Sequence, residues 1–394
     1  SARPLKMTFE RFAMRPIYLD YNATTPVDPE VAAAMLPCIR EHFGNPSSAH
    51  AYGVEARRIV EEARGQVASL LGCRPGEVLF TSGGTESNNH ALKGAARALR
   101  SRGNRIVTSA VEHPAVMEVC HALSAEGFEV SVIPVDATGL VDLAALERAI
   151  GERTILVSVM HANNEVGTIQ PIGEIARLAR RRGALVHTDA AQSVGKIPVD
   201  VADLGVDLLT LAGHKLYAPK GVGALYIREG VRLETFMHGA GHESGRRAGT
   251  ENVIGIAGLG AACEAARRGL EANGERMRKT RDRLQEALLR AVADVRVNGH
   301  PDARLPNTLS VSFRGLDAGG LLVAMEGLAA SAGAACHGAS VEVSRTLRAM
   351  AVPLEWARGT IRLSTGKYTT EGEVDRAVEI IAGAVERLRN GAKE

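Results

Sequence analysis

Three short runs in this sequence combine residue types that could act on a small molecule. Ser82-Gly-Gly-Thr-Glu-Ser87 follows the strand-like Glu77-Val-Leu-Phe80 and precedes the helical pattern Asn88-Asn-His-Ala-Leu-Lys93. A glycine turn at a helix N-terminus, here at Gly84, presents free backbone N–H groups to an anion, and the Thr85 hydroxyl adds a donor. Read alone, the run is a phosphate site or a structural turn. Val186-His-Thr-Asp-Ala-Ala-Gln192 puts Asp189 by a buried strand. An unpaired carboxylate is costly there, and a protonated pyridine nitrogen is one cation that would satisfy it; an Asp capping the next helix is the alternative. Thr210-Leu-Ala-Gly-His-Lys-Leu-Tyr-Ala-Pro-Lys-Gly221 places Lys215 after the apolar run Leu208–Leu211. Poor solvation lowers a lysine's pKa and makes its amine a better nucleophile toward an aldehyde, although a surface lysine reads the same way by itself. Together and in this order, anion loop, carboxylate and strand-end lysine describe a pyridoxal 5′-phosphate site.

A fourth run, Ala329-Ala-Ser-Ala-Gly-Ala-Ala-Cys-His-Gly-Ala-Ser340, carries so many small residues that firm packing is not expected, and it reads as a mobile loop. Its small neighbours keep Cys336 exposed, and a protonated His337 beside it would favour the thiolate. On residue types alone, a catalytic and an incidental cysteine both stay open. Cys38, Cys73, Cys120 and Cys263 sit in helix-like or apolar surroundings, as small buried hydrophobes do. With no Cys-x-x-Cys pair and no zinc-like Cys/His spacing, reduced thiols and no metal are expected.

These residues need a scaffold to bring them together. From about residue 54 to 230, helical patterns alternate with the β-rich runs Arg105–Ser109, Thr154–Val159, Ala184–His187, Leu208–Leu211 and Gly223–Ile227. That alternation predicts an α/β fold with a mainly parallel sheet, whose strand carboxyl ends gather ligands. A long helical stretch through Glu264 and Arg281 to Leu289 follows as a connector. Beyond it, Asn307–Phe313 and Thr360–Ser364 read as strands, and Thr370-x-x-Glu373 as a capping box opening a terminal helix with Val374, Val378 and Ile381 inward. The expected division is a tail over 1–13, a large cofactor-binding domain over 24–265, and a small domain from 14–23 and 266–394 that carries the Cys336 loop at about 329–343.

With 394 residues and 45% apolar content the chain can bury a large core. Lys plus Arg is 47 against Asp plus Glu at 45, a formal charge of +2, which gives no reason to expect nucleic acid or an anionic membrane as partner. Arg177-x-x-Arg180-Arg-Arg182 reads as the solvated end of a helix. No run of eighteen apolar residues exists, and the start lacks the apolar core of a secretory signal, so a cytoplasmic location is the default.

Asp20-Tyr-Asn-Ala-Thr-Thr-Pro26, Gly44-Asn-Pro-Ser-Ser48, Thr81-Ser-Gly-Gly-Thr-Glu-Ser87, Val111-Glu-His113, Asn163-Asn-Glu165, His187-Thr-Asp-Ala-Ala-Gln192 and Gly213-His-Lys215 resemble the cysteine desulfurases of the NifS/IscS group. These belong to the class-V aminotransferase family of fold-type I pyridoxal-phosphate enzymes, and the resemblance runs from about residue 16 over nearly the whole chain. It implies a large domain built on a mainly parallel seven-stranded sheet, with a smaller α/β domain. It also implies that His113 stacks on the cofactor ring as a catalytic residue, Asn164 and Gln192 contact the ring hydroxyl, Asp189 pairs with the ring nitrogen, and Lys215 holds the cofactor covalently. Gly84, Thr85 and His214 would bind the phosphate. Thr250 of Arg247-Ala-Gly-Thr250 resembles a threonine that reaches the phosphate of a neighbouring subunit, which implies a homodimer. Arg362 would grip the substrate α-carboxylate, a task suited to its planar fork, with Asn22 and Asn164 beside it. One departure is Ala212, where the family often has a serine that bonds the phosphate.

The activity so implied converts L-cysteine to L-alanine, moves the sulfur onto Cys336 as a persulfide, and passes it to an acceptor such as an iron–sulfur scaffold or a thiolating enzyme. A selenocysteine lyase acting on L-selenocysteine is the nearest rival, because Gly333-Ala-Ala-Cys-His337 and Val352-Pro-Leu-Glu-Trp-Ala-Arg358 resemble that enzyme as well. A generic fold-type I aminotransferase and a noncatalytic sulfur-assembly scaffold are the more distant alternatives. The first needs no mobile cysteine, and the second needs no intact set of Asp189, Lys215, Cys336 and Arg362.

Overall fold

The computed structural model describes residues 16–337 and 340–391, with the side chains of 334–337 and 340–342 outside that description. The expected tail over 1–13 and the side chains of Cys336 and His337 therefore lie outside the described residues.

Seven strands form the central sheet in the order Val78–Thr81, Gly223–Ile227, Leu208–Ala212, Leu185–Asp189, Thr154–Ser158, Arg105–Ser109, Glu129–Ile133. Gly223–Ile227 is antiparallel to both of its neighbours, and the other six strands run the same way. Val78–Thr81, Thr154–Ser158, Leu208–Ala212 and Gly223–Ile227 are buried along their whole length, as strands with helices on both faces must be. Successive side chains divide between two apolar clusters: Leu209 and Leu211 pack with Val60, Val67 and Ile256 on one face, and Leu208 with Leu92, Leu123 and Leu225 on the other. The edge strand Glu129–Ile133 is half-exposed and lacks a continuous apolar run, so the sequence pattern does not announce it.

The helix Val253–Ala291 leads from this sheet to a four-stranded antiparallel one, ordered Ser331–Ala332, Thr360–Ser364, Thr308–Phe313, Val295–Asn298. The terminal helix Glu371–Gly391 packs on it through Val374, Val378 and Ile381, in one cluster with Leu309, Val311 and Leu363. Its start is the predicted capping box: Thr370 N donates to Glu373 Oε2 at 2.8 Å, and Glu373 N donates to Thr370 Oγ1 at 3.2 Å.

Ile17–Tyr18 pairs in parallel with Leu328–Ala329, and Asp20 bridges to Ser364. These contacts tie the start of the described chain to the small sheet and carry Asn22 toward the large one. In the segment read as a loop, the backbone of Ala334–His337 pairs antiparallel with Ser340–Val343.

Candidate active site

The carboxyl ends of four adjacent parallel strands face one cavity of about 420 Å³, within the roughly 300–1,000 Å³ usual for small-molecule sites. Its wall includes Asn22, Gly84, Thr85, His113, Asn164, Asp189, Gln192, His214, Lys215 and Arg362. Of the residues singled out from sequence, Thr250 stands apart, lining a separate space of about 220 Å³ with Ser82 and Gly221. The Cys336 side chain is not among the described residues.

Lys215 closes the short turn Gly213–Lys215 after the strand Leu208–Ala212, and its Nζ donates to the carbonyls of Asn22 at 2.5 Å and Ala23 at 2.8 Å. Burial, reinforced by the nearby Arg362 charge, lowers its pKa from 10.5 to about 8. An amine of that pKa is partly deprotonated near neutral pH, as a nucleophile must be. The turn is fastened on both sides. Thr25 N donates to His214 O at 3.0 Å, Tyr217 N to Thr25 Oγ1 at 2.9 Å, and Lys367 N to Tyr217 Oη at 2.8 Å. Tyr217 sits at φ 64°, a left-handed conformation that costs a bulky residue about 1–2 kcal/mol and persists because its surroundings over-determine it.

Asp189 ends the strand Leu185–Asp189, almost fully buried. Its Oδ2 accepts from Asn88 Nδ2 at 2.7 Å and its Oδ1 from Ala191 N at 3.0 Å. Both partners are neutral, so the carboxylate is oriented but not neutralised. His113 caps the helix Pro114–Ala125, its Nδ1 accepting from Ala115 N at 3.0 Å. That bond leaves Nε2 as the protonated nitrogen of a neutral ring. Desolvation holds the ring's pKa below the ordinary imidazole value, with Lys215 adding to the effect and Asp189 opposing it.

The anion loop depends on two glycines. Gly83 has φ 148° and ψ −176°, a region essentially reserved for glycine, and a Cβ on Gly223 would lie 2.7 Å from the Gly83 Cα. The first N–H groups of the helix Gly84–Ala98 have no intrahelical acceptors and remain available to an anion. Glu86 would repel that anion. Its carboxylate is instead engaged by Arg247 Nε at 2.8 Å and Ser82 N at 2.8 Å. His214, its Nδ1 paired with Thr24 Oγ1 at 3.2 Å, is held neutral by burial and by Lys215 and Lys220, with its pKa lowered to about 4.

Arg362 stands opposite on the small sheet. Its Nη1 donates to Asn164 O at 3.0 Å and its Nη2 to Asp20 Oδ1 at 2.8 Å and Ser331 Oγ at 3.1 Å; its buried Nε has no partner among the described residues. An oriented guanidinium with donors to spare suits a carboxylate. Another cavity, of about 480 Å³, lies beside Arg74 and Arg228, but these arginines are already paired with Glu77, Glu229 and Asp207.

Some residues of the site escaped the sequence reading. Asp20 and Asn88 orient Arg362 and Asp189, and Lys196, in Gly195-Lys-Ile-Pro198, lies buried behind Gln192. Asp20 carried a signal, since it opens one of the resembling motifs; Lys196 carried none beyond its nearness to Gln192.

The model of the aminotransferase class-V family matches residues 17–377. The chain belongs to that family. It is 47% identical over 377 residues to the cysteine desulfurase IscS of Dictyoglomus turgidum, covering 95% of this chain and 96% of that one. It is 48% identical over 379 residues to the human cysteine desulfurase, covering 95% of this chain and 83% of that protein. Among solved structures, a NifS-like protein superposes with a TM-score of 0.89 at 41% identity, over 94% of this chain and 99% of that one. A structure described as SspA in complex with cysteine superposes with a TM-score of 0.79 at 35% identity, over 90% of this chain and 99% of that one.

The cofactor of this class-V aminotransferase family is pyridoxal 5′-phosphate, and the residues present fit it. A partly deprotonated amine at Lys215, a carboxylate at Asp189 without a cationic partner among the described residues, and open N–H groups at Gly84 and Thr85 match its aldehyde, ring nitrogen and phosphate.

Proposed function

We propose that this chain is a cysteine desulfurase that converts L-cysteine to L-alanine, takes the sulfur onto Cys336 as a persulfide, and delivers it to an acceptor. The observation that carries the reading is the meeting of Lys215, Asp189 and Arg362 around one cavity, in a chain 47–48% identical to proteins bearing that name. A relative described in complex with cysteine supports the choice of substrate.

When bound, pyridoxal phosphate supplies the electron sink that weakens the substrate's bond to sulfur. The chain's residues do the rest. Lys215 holds the cofactor through its amine and afterwards moves the substrate α-proton, a role its pKa of about 8 suits. Asp189 pairs with the ring nitrogen, His113 stacks on the ring, Asn164 and Gln192 contact the ring hydroxyl, and His214 joins Gly84 and Thr85 at the phosphate. Arg362 takes the α-carboxylate, with Asn22 and Asn164 beside it. The Cys336 thiolate attacks the substrate sulfur: the sulfur–carbon bond breaks, a sulfur–sulfur bond forms, and a proton returned to the substrate carbon completes alanine.

The same reading divides the chain into a large unit over 24–265 and a small one from 14–23 and 266–394, supported by their separate apolar clusters. It makes the enzyme a homodimer, supported by the position of Thr250 away from its own chain's cofactor cavity. A reducing, cytoplasmic setting and a protein acceptor, such as an iron–sulfur scaffold, complete it. Cys38, Cys73, Cys120 and Cys263 are unpaired, and among the described residues no helix is long and apolar enough to cross a membrane.

The test is the absorption spectrum of the purified protein, followed by L-cysteine under reductant with sulfide and alanine quantified. The expected result is a cofactor band that shifts on adding cysteine, with one alanine per sulfide in the wild type and no sulfur transfer to an acceptor by Cys336→Ala. A band with negligible cysteine turnover but rapid turnover of L-selenocysteine would overturn the reading in favour of the selenium substrate.

A further inference from the structure

We infer that Lys196 is a positioning residue of this site: its amine holds the side-chain amide of Gln192 in the one orientation that turns an N–H donor toward the cofactor cavity. The inference rests on the cofactor reading of the cavity and adds to it a residue outside its wall.

Lys196 is almost fully buried, and its Nζ donates to Gln192 Oε1 at 2.8 Å and to Asn22 Oδ1 at 3.1 Å. Among the described residues its hydrogen-bond partners are these two amide oxygens, with no carboxylate. A buried amine without a counter-ion is a costly arrangement, retained here on the inner side of two cavity-lining residues. Burial pushes its pKa well below the ordinary lysine value, and the charges of Lys215 and Arg362 push the same way. Charged or neutral, the amine has the two N–H donors these oxygens require.

The consequence differs for the two amides. Asn22 is pinned without Lys196: its Oδ1 also accepts from Asn307 Nδ2 at 2.9 Å, and its Nδ2 donates to Thr308 Oγ1 at 2.8 Å and Asn164 O at 3.2 Å. Gln192 Oε1 has Lys196 as its one partner among the described residues. With the oxygen held, Nε2 must face the other way, where it donates to Asn22 O at 3.0 Å, the carbonyl that also accepts from Lys215 Nζ. Each amide nitrogen carries two hydrogens, so one remains for a group in the cavity. Without Lys196 the amide keeps only the Nε2 bond to the Asn22 carbonyl and can swing about it. Gln192 would then no longer hold its second N–H in a fixed direction toward the cavity.

The experiment is a double-mutant cycle read as the rate at which holoenzyme loses its cofactor absorption band on dilution. Lys196→Met and Gln192→Met should each speed that loss about tenfold, the size of one oriented hydrogen bond, and the double variant should exceed either by no more than about threefold. Effects that multiply to about a hundredfold, or a wild-type rate for Lys196→Met, would overturn the inference. If Lys196→Met does not fold, Lys196→Gln takes its place in the same cycle. Lys215→Ala separates the two levels: a wild-type band in that variant sinks the cofactor reading itself, whereas its loss beside an unchanged Lys196→Met sinks the Lys196 inference alone.

Discussion

Arg362 Nη2 donates to Asp20 Oδ1 at 2.8 Å, joining residues 342 apart in sequence. Ser331 Oγ donates to the same oxygen at 2.9 Å, and Asp20 is itself fixed by its bridge to Ser364, two residues along the strand from Arg362. The guanidinium plane is therefore set before any substrate arrives. That saves ordering cost at the moment of binding, the usual advantage of a preorganised clamp.

Asp20→Asn keeps the shape of this clamp and removes its charge. KM for L-cysteine should rise about tenfold while kcat changes less than about threefold, because orientation of the carboxylate grip is lost rather than a chemical step. A kcat loss at unchanged KM would place Asp20 in the chemistry instead.

Lys215 makes a pH prediction. Its protonated form cannot attack an aldehyde, and its pKa is lowered to about 8, first by burial and then by Arg362. The rate at which apo-protein takes up pyridoxal phosphate should climb with pH and level off above about 8, where an ordinary lysine would go on climbing toward 10.5. Arg362→Met removes the second cause, so the plateau should move to higher pH. Stopped-flow absorbance on both proteins checks the pair; a plateau unmoved by the substitution would assign the whole shift to burial.

Much of this was legible in the sequence, for a physical reason. The strands Arg105–Ser109 and Gly223–Ile227 and the capping box at Thr370 depend on neighbours in the chain, and they lie where the pattern puts them. The reversal of Gly223–Ile227 relative to its neighbours was not legible, because period-2 patterning carries no direction. Glu129–Ile133 escaped because a half-exposed edge strand needs few apolar residues. Lys196 escaped because a lysine after a glycine looks like a surface residue until its burial and its amide partners are known.

Ala212 offers a gain-of-function check. It lines the cofactor cavity, and a Cβ built on Gly84 would lie 3.3 Å from its own Cβ, so a hydroxyl here would lie beside the anion loop. Ala212→Ser should slow release of the cofactor about threefold to tenfold, the effect of one added phosphate hydrogen bond. Unchanged or faster release would mean that the hydroxyl points elsewhere or that water already fills the role.

Glu112, next to His113, tests the electrostatics behind the site. Its Oε1 accepts from Ser109 Oγ at 2.5 Å and Met160 N at 2.9 Å, while its buried Oε2 has no partner among the described residues. Burial pushes the carboxyl from 4.5 up to about 8, with Asp189 adding to the rise and the two hydrogen bonds opposing it. Between those values the folded chain keeps a proton that the unfolded chain has released, so this group's contribution to stability is full below pH 4.5 and drains away as pH rises to about 8. Glu112→Gln has nearly the same shape and does not titrate. Relative to wild type it should therefore gain stability with rising pH, by about 3 to 4 kcal/mol between pH 5 and pH 8. Every other titrating group is common to the two holoenzymes, so the change in their melting-temperature difference between those pH values isolates Glu112. An equal difference at both would mean that Glu112 is ionised throughout and that its two donors outweigh its burial.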